Sequence, residues 1–381
     1  MNAVDARDLF DIPDDVCYLN CAYMSPLLKS VRDAGHRGVD RKASPWRIKP
    51  TDFFDEAEQA RALFAQIIGA SADDVALTSS AGYGLAVAAA NAPLSAGDNV
   101  VLMADEFPAA YYTWRSAADR AGAEVRVVGR IAEQSWSDAL LAAIDSSTRV
   151  ISVSPCHWTN GEPVALAPLR ARCDDVGALV VVDGTQWIGA VPFAVAELRP
   201  DFLAVATYKW LLGPYSFGFV YVAPRLQNGR PLEETWVGRA GSDDFRRLTN
   251  YEAAYRAGAR RFDVGETSNF ILLPMVIAAL RQLLAWDVAA VSAGLRRITA
   301  SIAAQLRAAG VAPERISSDS PHILGLDLAP PIPDGLASLL EERKIYVSLR
   351  GTKMRIAPHL FVRPEDVERF VAAVVDAKLI A

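Results

Sequence analysis

The sequence predicts an α/β protein in which a large domain, built on a mainly parallel seven-stranded sheet, precedes a smaller α+β C-terminal domain. Seven short apolar runs alternate with stretches long enough for a crossover helix, which is typical of a parallel sheet covered on both faces. After residue 270 a long helical stretch and a mixed tail replace this alternation. We therefore expect a large domain over residues 1–272, with roughly its first 25 residues packed on the small domain, and a small domain over residues 273–381.

Local patterns predict the elements in chain order. Residues 56–68 carry apolar side chains at helical spacing and end at Gly69, so they form the first predicted helix. The predicted strands of the sheet are 75–77, 100–103, 125–128, 150–153, 179–182, 202–205 and 217–222. The tail is predicted to hold a helical stretch over 273–306, an apolar segment at 322–328, strands at 345–349 and 354–357, helices at 335–343 and 364–375, and a proline-rich surface loop at 329–333.

Composition argues against several classes of protein. Apolar residues make up 51% of the chain and charged residues 22%, as in ordinary globular proteins. A net charge of -6, without clusters of lysine and arginine, argues against a nucleic-acid partner. The acidic N-terminus lacks a signal-peptide pattern and no apolar run is long enough to span a bilayer, so we expect a cytoplasmic protein that does not bind membranes. The four cysteines show no metal-ligand spacing, and we expect no metal.

Lys209 lies between Tyr208 and Trp210 at the end of a predicted strand, an apolar setting for a charged side chain. One interpretation is that its stem packs among the aromatic rings while its ammonium group reaches water. The other is that burial lowers its pKa, so that the neutral amine forms a Schiff base with a carbonyl compound. The rest of the chain has to decide between them.

Side chains useful for binding follow other predicted strands, and parallel sheets bind ligands at the carboxyl ends of their strands. Ser79 and Ser80 precede a predicted helix, where hydroxyls and free amides bind phosphate, although serine is also an ordinary helix cap. Asp183 could be a helix cap, a metal ligand or the partner of a protonated ring nitrogen. Asn160 is a turn residue or a ligand residue, and Phe107 is a packing ring or a stacking ring.

Pyridoxal 5'-phosphate would use all of these groups together. It is a flat, phosphorylated aldehyde with a ring nitrogen, so it needs a lysine, an acid and a phosphate-binding helix end. The strand ends therefore predict this cofactor.

The same residues resemble the class V aminotransferase family of fold-type I enzymes that depend on pyridoxal phosphate. This family includes cysteine desulfurases, kynureninases and isopenicillin-N-epimerase-like proteins. The resemblance runs from YLNCAYMSP at 18–26 to MRIAPHLFVRPEDVERF at 354–370. Its most specific part is VVDGTQ at 181–186 combined with TYKWLLGP at 207–214. It implies the fold-type I transferase fold and a homodimer with active sites at the subunit interface.

The resemblance also implies a role for each candidate residue. Lys209 is the catalytic lysine that forms the Schiff base, and Asp183 pairs with the pyridine nitrogen. Gln186 lies near the phenolic oxygen of the cofactor, and Phe107 stacks on its ring. Asn160 contacts cofactor or substrate.

Further implied contacts concern the two anionic groups. Those with the phosphate come from Ser79, Ser80 and Tyr208 and, across the subunit boundary, from Thr267 or Ser268. Arg355 binds the substrate α-carboxylate through its forked guanidinium group, and Arg350 is the second candidate for this role.

The implied activity acts on an amino acid through an external aldimine and a carbanion. We favour a lyase that cleaves at Cβ, as C–S lyases and kynureninases do, because the pattern of Gln186 and Asn160 is closest to that branch. An aminotransferase or an amino-acid epimerase is the alternative, and a non-catalytic protein of the same fold is the alternative from another class. No cysteine follows Cys173, so a desulfurase that relays sulfur through a C-terminal cysteine is not expected.

Overall fold

The computed structural model describes residues 6–131, 133–317, 319–328 and 335–377, and the predicted loop at 329–333 lies outside these ranges. The strands are β1 (Cys17–Tyr18), β2 (Val75–Thr78), β3 (Asn99–Met103), β4 (Glu124–Val128), β5 (Thr148–Val153), β6 (Leu179–Asp183), β7 (Phe202–Ala206), β8 (Gly218–Val222), β9 (Ile316–Ser317), β10 (Leu324–Asp327), β11 (Ile345–Tyr346), β12 (Ser348–Arg350) and β13 (Lys353–Ile356). The helices are α1 (Lys29–Lys42), α2 (Asp55–Ile68), α3 (Ala81–Ala90), α4 (Pro108–Ala121), α5 (Trp136–Ala143), α6 (Leu166–Val176), α7 (Val195–Leu198), α8 (Leu272–Trp286), α9 (Val288–Ala308), α10 (Leu336–Glu342) and α11 (Pro364–Asp376).

Seven strands form the central sheet in the order β2-β8-β7-β6-β5-β3-β4, which confirms the predicted α/β fold class. Strand β8 runs antiparallel to both of its neighbours, and the other pairs are parallel. Alternate residues of a strand fall into two separate apolar clusters, one on each face: Val180 and Val182 of β6 in one, Val181 in the other. This alternation is what a pleated strand buried on both sides requires.

The predicted helical stretch at 273–306 is in fact two helices, which is a correction to the sequence prediction. Helices α8 and α9 meet at Asp287 and are bent by 77°. Asp287 has a φ of 65° and accepts a hydrogen bond from the backbone N–H of Ala289, so it caps α9. An aspartate favours such a cap over a helix interior.

The C-terminal part carries an antiparallel sheet in the order β12-β13-β10-β9. The predicted strand at 345–349 is divided there, because β11 pairs with β1 while β12 pairs with β13. Arg7 donates hydrogen bonds to Phe361 O and to Asp366, so the N-terminal segment is bonded to the C-terminal part. The division into domains at residue 272 remains a proposal, since α8 packs against α1 and α2.

Among the described residues, no single helix is long and apolar enough to span a membrane. Helices α8 and α9 together have the required length and composition, but they are bent by 77° where they meet.

Candidate active site

A cavity of about 270 Å³ lies at the carboxyl ends of β2, β5, β6 and β7. The loops that follow parallel strands begin at this edge of the sheet, and folds of this kind bind their ligands there. Seven of the residues predicted from the sequence line it: Ser79, Ser80, Phe107, Asp183, Gln186, Tyr208 and Lys209.

Lys209 lies three residues beyond β7, in a tight turn. The turn is closed by a hydrogen bond from Gly213 N to Thr207 O, and Leu212 adopts a φ of 55°. The side chain of Lys209 is buried, with Nζ 5.5 Å from the ring centroid of Phe107. Burial lowers the pKa of its amine to about 8, and the positive charge of Arg355 adds to the effect. A neutral amine is therefore accessible near neutral pH, as the second interpretation of Lys209 requires.

Asp183 is the last residue of β6 and is also buried. Its Oδ1 accepts a hydrogen bond from Thr185 N at 2.9 Å. Within the described residues no cation lies within ion-pair distance of this carboxylate, and no carboxylate lies within that distance of Lys209. Because buried charges are normally paired, an acid and a base without partners in one cavity fit a ligand that carries a cationic nitrogen and a carbonyl group.

The N-terminus of α3 forms the other end of the cavity. Ser80 is its N-cap and accepts a hydrogen bond from Tyr83 N at 3.0 Å, so the ordinary role of a capping serine is present. Ala81 and Gly82 at the start of this ten-residue helix also line the cavity, and the first amides of a helix have no intrahelical partners. This end of the cavity therefore fits a phosphate group.

Trp158 lines the cavity but was not identified from the sequence. Its indole N–H donates to Asp105 O at 2.6 Å, and its ring meets that of Phe107 edge to face at 5.5 Å. A single tryptophan after a strand carries no signal of its own, because this large apolar side chain commonly packs in a core. Only the tertiary contacts bring it into the site.

Gln186 lines the cavity with its side-chain amide already engaged on both sides. Its Nε2 donates to Ala22 O at 2.9 Å, and its Oε1 accepts from Trp210 Nε1 at 3.0 Å. One N–H of Nε2 is left for a ligand. Ser25 N also donates to Tyr208 O at 3.0 Å, so the N-terminal segment supports the site at two points.

Asn160 is buried outside the set of residues that line the cavity. Its Oδ1 accepts from Glu162 N at 3.2 Å, and its backbone packs against Gly325 of β10. The preceding His157 is held by Thr159 and by Ala104 O, and its ring stacks on Trp136. Asn160 therefore has the turn role at this strand end, and a contact with cofactor or substrate stays a prediction.

Arg355 and Arg350 do not line the cavity either, but both lie over the ring of Trp158, which does. Each guanidinium carbon is 5.8 Å from the centroid of that ring. Arg355 is fully buried and donates to Trp158 O at 2.8 Å. Burial, together with the charge of Arg350, lowers its pKa to about 10.

Thr267 is buried and does not line the Lys209 cavity of its own chain. The hydroxyl of the neighbouring Ser268 donates to Phe53 O at 2.6 Å. A contact from either residue to the phosphate of a second subunit stays a prediction.

Glu106 and the cysteines complete the ionisable groups near the site. Burial raises the pKa of Glu106 to about 8, with a further contribution from Asp183. All four cysteines are buried free thiols, and burial raises the pKa of the nearest, Cys156, to about 12. Over the described ranges, no group of three or more histidine, cysteine, aspartate or glutamate residues is arranged to hold a metal ion.

Comparison with known proteins gives consistent matches. The family model described as Aminotransferase class-V matches residues 36–363. An uncharacterized aminotransferase, YcbU of Bacillus subtilis, is 26% identical over 92% of this chain and 90% of its own length. Isopenicillin N epimerase of Streptomyces clavuligerus is 25% identical over 83% of each chain.

Solved structures match over nearly the whole chain. A complex of the cystine C-S lyase C-DES with its product cysteine persulfide superposes with a TM-score of 0.85 at 18% identity. The superposition covers 95% of this chain and 98% of C-DES. At this identity the likeness concerns the fold.

Proposed function

Because the chain belongs to the class-V aminotransferase family, we propose that it is a lyase that cleaves a bond at Cβ of a small amino acid. The chain is an enzyme that depends on pyridoxal 5'-phosphate, the cofactor of this family. The bound cofactor supplies an electron sink that stabilises negative charge at the α-carbon of the amino acid. The residues of the cavity fit it, as the unpaired Asp183 and Lys209 and the free amides of α3 indicate.

The observation that carries the proposal is the burial of Lys209 and Asp183 in one cavity, each without an opposite charge at ion-pair distance among the described residues. A buried amine with a pKa near 8 and no carboxylate partner is able to take the α-proton at neutral pH. Asp183 and Phe107 both line the cavity, where Asp183 would balance the positive charge of a ring nitrogen and Phe107 would offer a flat apolar face. The first turn of α3 would hold the phosphate, and Arg355 would bind the α-carboxylate.

Two features favour cleavage at Cβ among the reactions of the family. Gln186 matches the glutamine that desulfurases have near the phenolic oxygen of the cofactor, where kynureninases have histidine, and its amide is hydrogen-bonded to Ala22 O and to Trp210. The four thiols are buried and none is placed as an exposed nucleophile, which favours direct release of a leaving group over transfer to a cysteine of the chain. Amino-acid epimerisation is the second candidate, supported by the relative from Streptomyces clavuligerus. Transamination is the third, since the family model bears that name.

The first test is the variant Lys209→Ala. We expect it to fold and to lack both the visible absorption band of the cofactor and catalytic activity, because no other lysine among the described residues lines the cavity. Lys353→Ala is the matched control, since Lys353 is paired with Asp327 and lies outside the cavity. A Lys209→Ala protein with a normal band and normal activity would contradict the assignment.

The second test identifies the reaction from its products. The purified enzyme is mixed with single L- and D-amino acids, and the visible spectrum and the products are followed. A lyase releases the Cβ substituent and leaves a shortened product, whereas an aminotransferase keeps the carbon skeleton as a 2-oxo acid and an epimerase changes only the configuration. Release of the substituent supports the proposal, and either of the other results replaces it with the corresponding alternative.

We further propose that the protein is a cytoplasmic homodimer with its active sites at the interface. Tyr215 lines the cavity yet is 61% exposed, and Tyr251 is 97% exposed, so large aromatic surfaces are available for a second subunit. A subunit-mixing experiment tests this. Lys209→Ala and Thr267→Ala proteins should each be impaired, and their mixture should regain activity because a heterodimer carries one site free of both substitutions. No recovery in a mixture that exchanges subunits would contradict the shared site.

A further inference from the structure

Arg355 differs from the other buried arginines among the described residues, because no carboxylate lies within ion-pair distance of it. Its guanidinium group contacts only Trp158 O and, at 3.5 Å, the hydroxyl of Ser348. The other three buried arginines each pair with a buried aspartate: Arg7 with Asp366, Arg61 with Asp263 and Arg170 with Asp201. A buried charge left without a counter-ion is costly, so Arg355 is built to receive an anion.

Arg350 is a second cationic side chain near Arg355 that has no acidic partner among the described residues. Strands β12 and β13 pair antiparallel, with Ser348 opposite Arg355 and Arg350 opposite Lys353, so all four side chains lie on one face of the hairpin. Lys353 is neutralised by Asp327 at 2.7 Å. The guanidinium group of Arg350 donates a hydrogen bond to the neighbouring Leu349 O at 2.7 Å. Arg350 therefore also lacks an acidic partner within the described residues.

The two guanidinium groups share one support, the ring of Trp158. Each guanidinium carbon is 5.8 Å from its centroid, so the two carbons are separated by no more than twice that distance. The indole is fixed by its hydrogen bond to Asp105 O and forms part of the cavity wall. Stacking on an aromatic face holds an arginine in place while its N–H groups stay available.

The charges around the site do not balance. Lys209, Arg350 and Arg355 are basic, whereas the acids are Asp183 and Glu106. Glu106 is half-buried and does not line the cavity, and desolvation raises the pKa of its carboxyl to about 8. The proposed phosphate position is the N-terminus of α3, which lines the cavity, whereas the two arginines do not. One α-carboxylate would neutralise only one of the two arginines.

We propose that Arg350 and Arg355 form two anion subsites, so that the substrate is an amino acid whose short side chain ends in a second oxyanion, a carboxylate or a sulfinate. This inference rests on the proposed function for the assignment of Arg355 to the α-carboxylate. Arg350 then binds the side-chain oxyanion through the fork of its guanidinium group. The two guanidinium carbons are separated by at most twice 5.8 Å, so the two oxyanions that they bind lie close together and the side chain is short.

The test uses two probes that cannot react, because neither has an amino group. Succinate carries two carboxylates, and succinamate has the same skeleton with one carboxylate replaced by an amide. Binding to the holoenzyme is measured by isothermal titration calorimetry. We expect succinate to bind about tenfold more tightly than succinamate, since the second carboxylate forms a charge-assisted contact.

Three variants locate the preference. Arg350→Gln should reduce the preference to about one, because the side-chain subsite loses its charge, while Arg350→Lys should keep part of it. Arg355→Gln should weaken both probes about tenfold. Lys353→Gln removes a charge from the same face of the hairpin but should leave the preference unchanged, which separates a local contact from a general field. Melting curves show whether each variant is folded.

Equal binding of the two probes to the unaltered enzyme would overturn the inference, as would a preference that survives in Arg350→Gln. A failure of the proposed function would give another pair of results. Product analysis would show no cleavage at Cβ, while the enzyme would still bind succinate more tightly than succinamate. Spectral titration with L-aspartate, L-cysteine sulfinate and L-asparagine then distinguishes the two oxyanions. Tighter binding of either acid than of L-asparagine supports the second subsite, and tightest binding of L-asparagine counts against it.

Discussion

At the scale of single residues, the site depends on ionisable groups whose environment moves their pKa. Lys209 and Glu106 illustrate this from opposite directions, since burial lowers the pKa of the amine and raises that of the carboxyl until both lie near 8. Each would be ordinary at the surface. Their burial next to Asp183 makes the protonation state of the site sensitive to pH around neutrality.

Glu106 should make the stability of the chain without cofactor depend on pH. Its folded pKa lies above the usual value of a glutamate, so the favourable contribution of its protonated form is present in acid and is lost as the pH rises towards 8. The variant Glu106→Gln has no carboxyl at this position and should not show this loss. The difference between its melting temperature and that of the unaltered protein should therefore increase from pH 5 to pH 8. Melting curves across this range measure the effect.

Glu162→Gln is the control for this experiment. The hydrogen bond from Arg130 outweighs burial and lowers the pKa of Glu162, so its stabilising contribution is already complete at pH 5 and does not change up to pH 8. A Glu106→Gln curve parallel to that of the unaltered protein would show that the carboxyl of Glu106 does not titrate in this range.

Part of the site could be predicted from the sequence because the ends of buried strands can be recognised there. Lys209 and Asp183 each follow a run of apolar residues, and the rule for parallel sheets places such residues at one edge. Trp158 could not be found this way, since its role comes from Phe107, Arg350 and Arg355, which are distant in the chain.

At the scale of elements, the turn after β6 is packed directly against the turn that carries Lys209. Gly189 has a φ of 99°, and a Cβ atom there would lie 2.4 Å from Trp210 O. The two segments can approach only because this residue has no side chain. The position of Lys209 therefore depends on a glycine twenty residues away in sequence.

We expect Gly189→Ala to lower the free energy of unfolding by about 3 kcal/mol or more and to reduce activity, because the backbone of Trp210 has to move. Gly177→Ala is the matched control, since Gly177 has a similar φ of 74° at the end of α6 but has no atoms within 4 Å of the added Cβ. That variant should lose only about 1 kcal/mol from backbone strain and keep its activity. Denaturant unfolding and activity assays compare the two, and equal losses would contradict the packing argument.

The break between α8 and α9 and the division of β11 from β12 were not predictable from periodicity. Apolar residues continue through Asp287 at helical spacing, and only the cap formed by its side chain ends one helix and begins the next. The strands separate at Val347 because β11 has a partner, β1, from the other end of the chain. Periodicity reports local burial and carries no information about a distant pairing partner.

At the scale of the whole molecule, residues near the two ends of the chain are joined. Strand β1 pairs with β11, Cys21 N donates to Ala357 O, and Arg7 pairs with Asp366 at 3.2 Å. The same N-terminal segment contacts Gln186 and Tyr208 in the site. It therefore connects the C-terminal sheet with the cavity.

The ion pair between Arg7 and Asp366 should be important for stability because both side chains are buried. We expect Arg7→Met to lower the free energy of unfolding by about 1–3 kcal/mol, because Asp366 and Phe361 O lose a buried hydrogen-bond donor. The loss is limited because Arg363 and Arg369 still lie within ion-pair distance of Asp366. Arg115→Met is a control in which an exposed pair with Asp119 is lost, and it should change stability by less than about 1 kcal/mol. Similar losses in both variants would show that burial does not decide the strength of the pair.

The contacts between the N-terminal segment and the C-terminal sheet also affect the order in which parts of the chain can fold during synthesis. This segment leaves the ribosome before β11, Ala357 and Asp366, which it must contact. Domains generally fold as they emerge, but here an early segment has partners that are made much later. A nascent polypeptide can therefore form the contacts of Ala22 with Gln186 and of Ser25 with Tyr208 before β11 and Asp366 are available. The N-terminal segment becomes fixed to the C-terminal sheet only when these later residues have been made.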